Sequence, residues 1–120
     1  AALTARGEFD AALAVAAEAV PLLRRSGIFL ARADVLACLM ARRQSHDIAM
    51  RLLGAADRFR AACGSCRNIT EARCRTQALA LTEAASPPQR VLQWQAEGAA
   101  ASDDELSAQI TAAHAEAARL

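Results

Sequence analysis

Small and apolar residues recur every three to four positions along most of the chain, with polar residues between them. The segment containing Leu52, Ala55 and Phe59 has this spacing, which is that of one face of an α-helix. Gly54 lies inside the same segment, although glycine in a helix costs about 1 kcal/mol relative to alanine. The pattern predicts a helix, and the small residues Gly54, Ala55 and Ala56 predict a site where a neighbouring helix approaches closely.

Glycine, proline and helix-capping residues divide this pattern into six predicted helices. Gly27 and Gly64 suit the left-handed conformation that ends many helices, and the two prolines at residues 86–88 end one helix and begin the next. Pro21 removes a hydrogen bond inside the first helix and should kink or split it. The predicted helices are residues 8–26, 29–43, 46–64 with Ser45 as N-cap, 69–85 with Thr70 near its start, 89–97 ending at Gly98, and a last helix that begins with a capping box at residues 102–105.

The composition also favours helices. The chain has 120 residues, of which 54% are hydrophobic but only 3% aromatic, and it contains no tyrosine. This length suits one domain, and an alanine-rich chain packs as close helices more readily than as a sheet of branched and aromatic residues. The short connection at residues 44–46 makes the flanking helices an antiparallel hairpin. We therefore expect an all-α fold of antiparallel helical hairpins.

Positive charge is carried by arginine alone, and the formal net charge is +1. Five arginines cluster in sequence, but Asp57 and Glu71 lie among them and no aromatic residues are interleaved, so we interpret the cluster as a solvated face that does not bind nucleic acid directly. No apolar run approaches the roughly 20 residues of a membrane span, and no signal peptide is recognisable. We expect no membrane partner and a cytoplasmic location. The clustered arginines are Arg58, Arg60, Arg67, Arg73 and Arg75.

No group of residues has both the spacing and the sequence context of a catalytic, cofactor or metal site. Cys63 and Cys66 have the CxxC spacing of zinc and redox sites, but a second such pair and a strand-to-helix junction are both missing from the sequence. His46 and His114 have no partners at ligand spacing, and the acidic residues 103–105 are explained by a helix N-terminus. We expect no enzymatic activity and no cofactor, while a metal or redox role for Cys63 and Cys66 stays open.

Two segments of the chain are similar to each other at an offset of 37 residues, from Gly27 to Gly64. The identities between residues 7–27 and 44–64 fall at helix-start, packing and helix-end positions. A repeated helical hairpin would need the same residue types at these positions, so the register predicts one. The matched pairs are Asp10 with Asp47, Ala12 with Ala49, Ala19 with Ala56, and Gly27 with Gly64.

These segments resemble the tetratricopeptide repeat. The Gly-Glu-Phe-Asp-Ala-Ala-Leu sequence at residues 7–13 is similar to the turn into the second helix of that repeat, and Ala19 falls at its second small position. Gln44 and His46 depart from the glycine and the aromatic residue of the turn, and the offset exceeds the usual repeat of about 34 residues. The resemblance implies a short right-handed α-solenoid of degenerate repeats. It places in the concave groove Ala31, Asp34, Cys38, Ala41 and Arg42.

A second resemblance covers roughly residues 45–110. The Leu-Leu-Gly-Ala-Ala sequence at residues 52–56, Phe59 with Arg60, the Ala-Glu-Gly sequence at residues 96–98 and the helix start at residues 102–105 are similar to the C-terminal end of large bacterial LuxR-type transcriptional regulators. These regulators join an ATP-binding module to a helical-repeat region, and similar ends occur in proteins with an adenylate-cyclase domain. The resemblance implies that ATPase, cyclase and DNA-reading activities belong to other domains.

The sequence thus leads to one principal functional expectation and two alternatives. The principal one is a non-catalytic domain that relays a signal by binding a protein, a peptide or another domain of its parent chain. One alternative is a structural cap or oligomerisation element of a signalling ATPase or cyclase, which can include a homodimer. The other is a small metal or thiol-redox protein that uses Cys63 and Cys66.

We expect residues 1–120 to form a single helical-repeat domain. Residues 1–64 would hold about one and a half degenerate repeats, and residues 69–120 would form capping helices. The chain begins without methionine inside a predicted helix, so we expect it to be a fragment of a larger protein.

Overall fold

The computed structural model describes the backbone of residues 2–64 and 67–118, and the side chains of residues 11, 14–64 and 67–116. Helices form nearly all of this part of the chain, and the described residues contain no β-strand, which confirms the all-α prediction. The radius of gyration is 13.5 Å, as for a compact domain of this length. The helices are α1 (Ala2–Arg25), α2 (Ala33–Arg42), α3 (His46–Cys63), α4 (Ile69–Ala85), α5 (Pro88–Ala100) and α6 (Asp103–Ala118), with a 3-10 turn at Leu30–Arg32 before α2.

The first helix departs from its predicted form. It begins at Ala2 rather than at residue 8, and it continues through Pro21 as one helix. The predicted split was therefore wrong. Pro21 is exposed, so its ring meets solvent rather than a neighbouring helix. The predicted stops at Gly27 and Gly64 are confirmed, because both glycines adopt left-handed φ values, of 73° and 65°.

The start of α4 is fixed by a residue that the sequence pattern missed. Asn68 is the N-cap of this helix, and Thr70 lies near its start, as predicted. The Asn68 side chain accepts a hydrogen bond from the Glu71 amide at 2.8 Å, and the Glu71 carboxylate accepts one from the Asn68 amide at 2.9 Å. Each side chain thus satisfies a backbone donor that has no partner within the helix.

The fifth and sixth helices also differ in detail from the prediction. Pro88 occupies the first turn of α5 as expected, but α5 continues through Gly98 to Ala100 instead of ending at that glycine. At the start of α6 the Ser102 hydroxyl accepts a hydrogen bond from the Glu105 amide at 3.2 Å. In a complete capping box the Glu105 carboxylate would accept a hydrogen bond from the Ser102 amide. Here it accepts one from the Ser102 hydroxyl instead, at 3.3 Å.

Helix α3 is the centre of the packing. It lies against α2, to which a three-residue connection joins it, and against α5, with further contacts to α4 and α6. Helix α2 also packs against α4, and α1 packs against α6, whereas α4 and α5 contact each other very little. The large side chains of the core come mainly from these central helices and include Phe29, Leu36, Met40, Met50, Leu52, Leu53, Val91, Leu106 and Ile110.

The tightest helix contact explains the glycine inside α3. Gly54 lies against the backbone of α5, where a Cβ would be 2.8 Å from the carbonyl carbon of Gln95 and closer still to its oxygen. Gly98 of α5 in turn lies against the backbone carbonyl of Arg51, which a Cβ would overlap. The two helices cross with their main chains in direct contact, and this contact keeps Gly98 inside α5. Ala55 and Ala56 are fully buried beside it.

Candidate functional site

The five residues predicted to line a groove do not form one open surface. Asp34 is completely buried, Cys38 and Ala41 are nearly so, and Ala31 is half-buried in the 3-10 turn. Only Arg42 is fully exposed, and it donates a hydrogen bond to Gln77 of α4 at 2.6 Å. The chain's own residues thus cover much of the face of α2 on which the groove was predicted.

Buried Asp34 belongs to an ion-pair network that joins four parts of the chain. Arg67, in the segment before α4, donates to both Asp34 oxygens, at 2.6 Å and 3.3 Å, and also pairs with Asp57 of α3. Arg75 of α4 binds Asp57 in bidentate fashion at 3.1 Å and 2.9 Å. The network fixes α2, α3 and α4 relative to one another, because bidentate arginine–carboxylate pairs have a defined geometry.

The charges of this network shift its own pKa values. Partial burial alone would raise the pKa of Asp57, but the hydrogen bonds and positive charges of Arg75 and Arg67 outweigh burial and lower it. Burial likewise acts to lower the pKa of Arg67, whereas Asp34 and Asp57 raise it overall. Both shifts favour the charged forms of Asp57 and Arg67.

A second, nearly buried ion pair holds the start of α4. Arg60 of α3 donates to the Glu71 carboxylate at 2.7 Å and to the carbonyl of Ala31 at 3.1 Å. The hydrogen bond from the Asn68 amide lowers the pKa of Glu71, burial opposes this shift, and Arg60 adds to it. Glu71 thus stabilises the helix start and the contact between α3 and α4 at the same time.

Most of the clustered arginines are consequently structural. Arg60, Arg67 and Arg75 are paired as described. Arg58 donates to the carbonyls of Ala99, in the last turn of α5, and of Ala101, which follows that helix, at 2.7 Å and 3.2 Å. The prediction of a solvated face was wrong for Arg60, Arg67 and Arg75, which are half-buried against partners in other parts of the chain. Arg58 is exposed, as predicted. Arg73 is exposed on α4 and has no ion pair among the described residues.

Two adjoining depressions, each of about 430 Å³, lie on one side of the molecule. The first lies where α2 and α4 meet, and the second is lined by residues of α4 alone. We call this surface the α2–α4 face. It combines exposed apolar side chains, of which Ile69 is 72% exposed, with the guanidinium groups of two arginines. The residues that define it are Val35, Leu39, Arg42, Ile69, Arg73 and Gln77.

Two cysteines line the first depression together. The Cys38 thiol donates to the Gln77 side-chain oxygen at 3.1 Å, and Cys74 lies one turn before Gln77 on α4. Burial raises the pKa of the Cys74 thiol, and the neighbouring Cys38 raises it further through its charge and a hydrogen bond. The sequence pattern missed this pair because nothing local relates positions 38 and 74. Of the CxxC pair, Cys63 is an exposed free thiol and Cys66 lies outside the described residues.

The remaining candidate ligands are scattered. The His46 ring nitrogen Nδ1 lies 3.3 Å from the hydroxyl of buried Thr82, which connects the start of α3 to α4. Among the described side chains, no three histidines, cysteines or carboxylates come together as a metal site. A wider cleft of about 960 Å³ lies between α1 and α6, where Arg24 pairs with Asp104. The buried Ser107 hydroxyl in its wall has no hydrogen-bond partner in the described part of the chain.

Comparison with protein-family models, with curated proteins and with solved structures gives no match. A search of the described helices finds none with the length and hydropathy needed to cross a membrane.

Proposed function

We propose that this chain is a non-catalytic interaction domain that binds a protein segment on its α2–α4 face and relays a signal to attached domains. The supporting observation is the combination of apolar and cationic groups on one continuous surface. Covering an exposed side chain such as Ile69 contributes about 1.5–3 kcal/mol, and the arginines attract carboxylates. The segment bound is therefore one that carries both apolar and acidic residues.

The arrangement of α2 and α4 supports the proposed tetratricopeptide-like solenoid. Asp34 near the start of α2 pairs with Arg67 just before α4, whereas Arg42 at the end of α2 reaches Gln77 farther along α4. The two helices therefore run in the same direction side by side, as the first helices of successive hairpins do in a solenoid. The scarce contacts between α4 and α5 make the second hairpin an irregular, capping unit in this proposal.

The parent protein in this proposal is a bacterial LuxR-type transcriptional regulator of the cytoplasm. Its support is the resemblance carried by residues 52–56, 96–98 and 102–105. DNA binding and nucleotide hydrolysis then lie in other domains, and the partner of the α2–α4 face is a second protein or another part of the parent chain.

Selection from a displayed library of random peptides tests the binding function. The chain is immobilised and the enriched peptides are sequenced. We expect peptides that combine Asp or Glu with large apolar residues, and we expect Arg73→Glu to abolish their binding. Arg90→Glu is the matched control, because Arg90 is an exposed arginine on α5, away from the face. Peptides that bind the Arg73→Glu chain as well as the wild type would contradict the proposal.

A structural cap or oligomerisation element is the second candidate function. The observation in its favour is the exposure of large apolar residues on α1, where Val15 is 67% exposed and Leu22 is 58% exposed. Unpartnered apolar surface of this kind favours association with a second copy.

Light scattering on a size-exclusion column, over a range of concentrations and with reductant, separates the two candidates. The interaction domain should elute with the mass of one chain. A dimer that Leu22→Asp disrupts, while Leu92→Asp on α5 leaves it intact, would favour the structural element, since Leu92 is 67% exposed and a comparable control.

A further inference from the structure

We propose that Cys38 and Cys74 form a dithiol site that anionic low-molecular-weight disulfides oxidise, which produces a reversible disulfide bond between α2 and α4. This inference does not depend on the proposed binding function. Neither cysteine belongs to the CxxC pair of Cys63 and Cys66.

Helix packing brings the two thiols together. The Cys38 thiol donates to Gln77, and Gln77 lies three residues after Cys74, on the same side of α4. Both cysteines line one depression, and the pKa of the Cys74 thiol responds directly to the Cys38 thiol. The bond therefore requires a local adjustment of two side chains on helices that already pack against each other, rather than a change of fold.

The surroundings assign different roles to the two thiols. Cys74 is partly exposed in the depression, whereas Cys38 is nearly buried. A reagent entering the depression thus reaches Cys74 first, and Cys38 is in place to react second. Arg42 and Arg73 line the same depression, so a disulfide that carries carboxylates is attracted to it.

The reaction is a pair of thiol–disulfide exchanges. Cys74 loses its proton to solvent, and its thiolate attacks one sulfur of the small disulfide; the S–S bond of the reagent breaks and one small thiolate leaves. The Cys38 thiolate, after losing its own proton, attacks the Cys74 sulfur of the mixed disulfide and expels the second small thiolate. The two protein thiols have then lost two electrons and two protons, and the reagent has been reduced to two thiols.

Peptide mapping after oxidation tests the bond. The chain with Cys63→Ser and Cys66→Ser is incubated with oxidised glutathione, free thiols are alkylated, and the protein is digested with trypsin. The expected product is residues 33–42 joined to residues 74–75, since arginines at positions 32, 42, 73 and 75 define these fragments. Dithiothreitol should release the two peptides. A folded chain that gives only separate mixed disulfides, or alkylated thiols alone, would overturn the proposal.

Single variants test the order of the two steps. With Cys38→Ser the reaction should stop at a glutathione adduct on Cys74, and with Cys74→Ser the remaining Cys38 should react at least about tenfold more slowly, because it is shielded from the reagent. Circular dichroism confirms that each variant is folded, and Cys38→Ala serves as a second variant if the serine disturbs the packing. Equal reaction of Cys38 and Cys74 in the two folded variants would contradict the assigned roles.

The pH dependence of the first step supplies an independent measurement. Since the pKa of the Cys74 thiol is raised, its thiolate is a minor species at neutral pH. Burial, the largest cause of this shift, remains when Cys38 is replaced. We therefore expect the rate of adduct formation at Cys74 in the Cys38→Ala chain to rise about tenfold from about pH 7 to about pH 8, without a plateau in that range. A rate that is already constant there would show that a different, more acidic thiol reacts.

Discussion

At the scale of single residues, glycines and charged groups set the positions of the helices. Gly54 and Gly98 let the main chains of α3 and α5 touch, and Asp34, Arg67 and Asp57 connect α2 and α3 through a network closed by α4. The glycines allow the close approach of α3 and α5 because they have no Cβ. The Asp34 carboxylate holds Arg67 in place because a buried charge must be paired.

The glycine contact predicts a large effect of a side chain at position 54. Gly54→Leu should lower the free energy of unfolding by about 1–3 kcal/mol or more, since the new side chain has to displace the backbone of α5. Urea denaturation measures this change. Ala61→Leu is the control on the same helix: Ala61 is exposed, so its effect should stay within about 0.5 kcal/mol. Equal stability of the two variants would contradict the contact.

The paired carboxylates predict how stability depends on pH. The pKa values of Asp57 and Glu71 are lowered from their ordinary values of 3.8 and 4.5, so both carboxylates bind protons more weakly in the folded chain than in the unfolded one. Their contribution to the free energy of unfolding is therefore complete above about pH 5, and it is lost as the pH falls through the lowered pKa values. Urea denaturation at a series of acidic pH values should show this loss, and Asp57→Asn combined with Glu71→Gln should make it smaller. An unchanged slope in the double variant would contradict it.

At the scale of helices, local sequence accounts for where most of them lie but less well for how they begin and end. The apolar spacing and the glycines at 27 and 64 predict α2, α3 and α4 closely. Tertiary packing overrides the local preference at Gly98 but not at Pro21. Gly98 resembles a helix stop but serves a helix contact, and Pro21 resembles a break but lies on an exposed part of α1.

The N-terminal cap of α4 gives a test at this scale. Asn68→Ala should destabilise the chain by about 1 kcal/mol, because two backbone donors at the start of α4 lose their paired geometry. Thr70→Ala is the matched control: Thr70 is exposed and follows the cap, so its loss should change stability little. The midpoints of thermal unfolding compare the two variants. A larger effect of Thr70→Ala than of Asn68→Ala would contradict the assignment of Asn68 as the N-cap.

At the scale of the whole molecule, α3 is the element on which the others converge. It packs against α2 and α5 and also contacts α4 and α6, while its residues Leu52 and Leu53 are completely buried. Elements with many buried neighbours open only when the entire chain unfolds, whereas peripheral elements open locally.

Hydrogen exchange should reveal this hierarchy. The amides of Leu52 and Leu53 are expected to exchange with the free energy of global unfolding, and those of Thr111 and Ala112 on the exposed side of α6 at a lower one. Exchange rates measured by NMR under native conditions, compared with the stability from urea denaturation, provide the test. Uniform protection of α3 and α6 would contradict the central role of α3.

Long-range pairs limit how much of the candidate site could be predicted. The fold class follows from helical spacing and composition, which are local properties. The pairing of Asp34 with Arg67, the proximity of Cys38 to Cys74 and the burial of the expected groove residues depend on how α4 packs on α2. No periodicity in the sequence encodes that packing. The resemblance to the tetratricopeptide repeat predicted that α2 lines an interaction surface, but it did not predict that other parts of the chain cover much of α2.

The backbone contact between α3 and α5 also restricts how this molecule can move. A slide of α5 along α3 by one residue, about 1.5 Å, would bring Cβ atoms of neighbouring residues against main-chain atoms that only glycine tolerates. The two helices must therefore translate and rotate as one rigid body. The ion-pair network of Asp34, Arg67, Asp57 and Arg75 ties α2 and α4 to this pair, so a displacement of whole helices is left to the contact between α1 and α6.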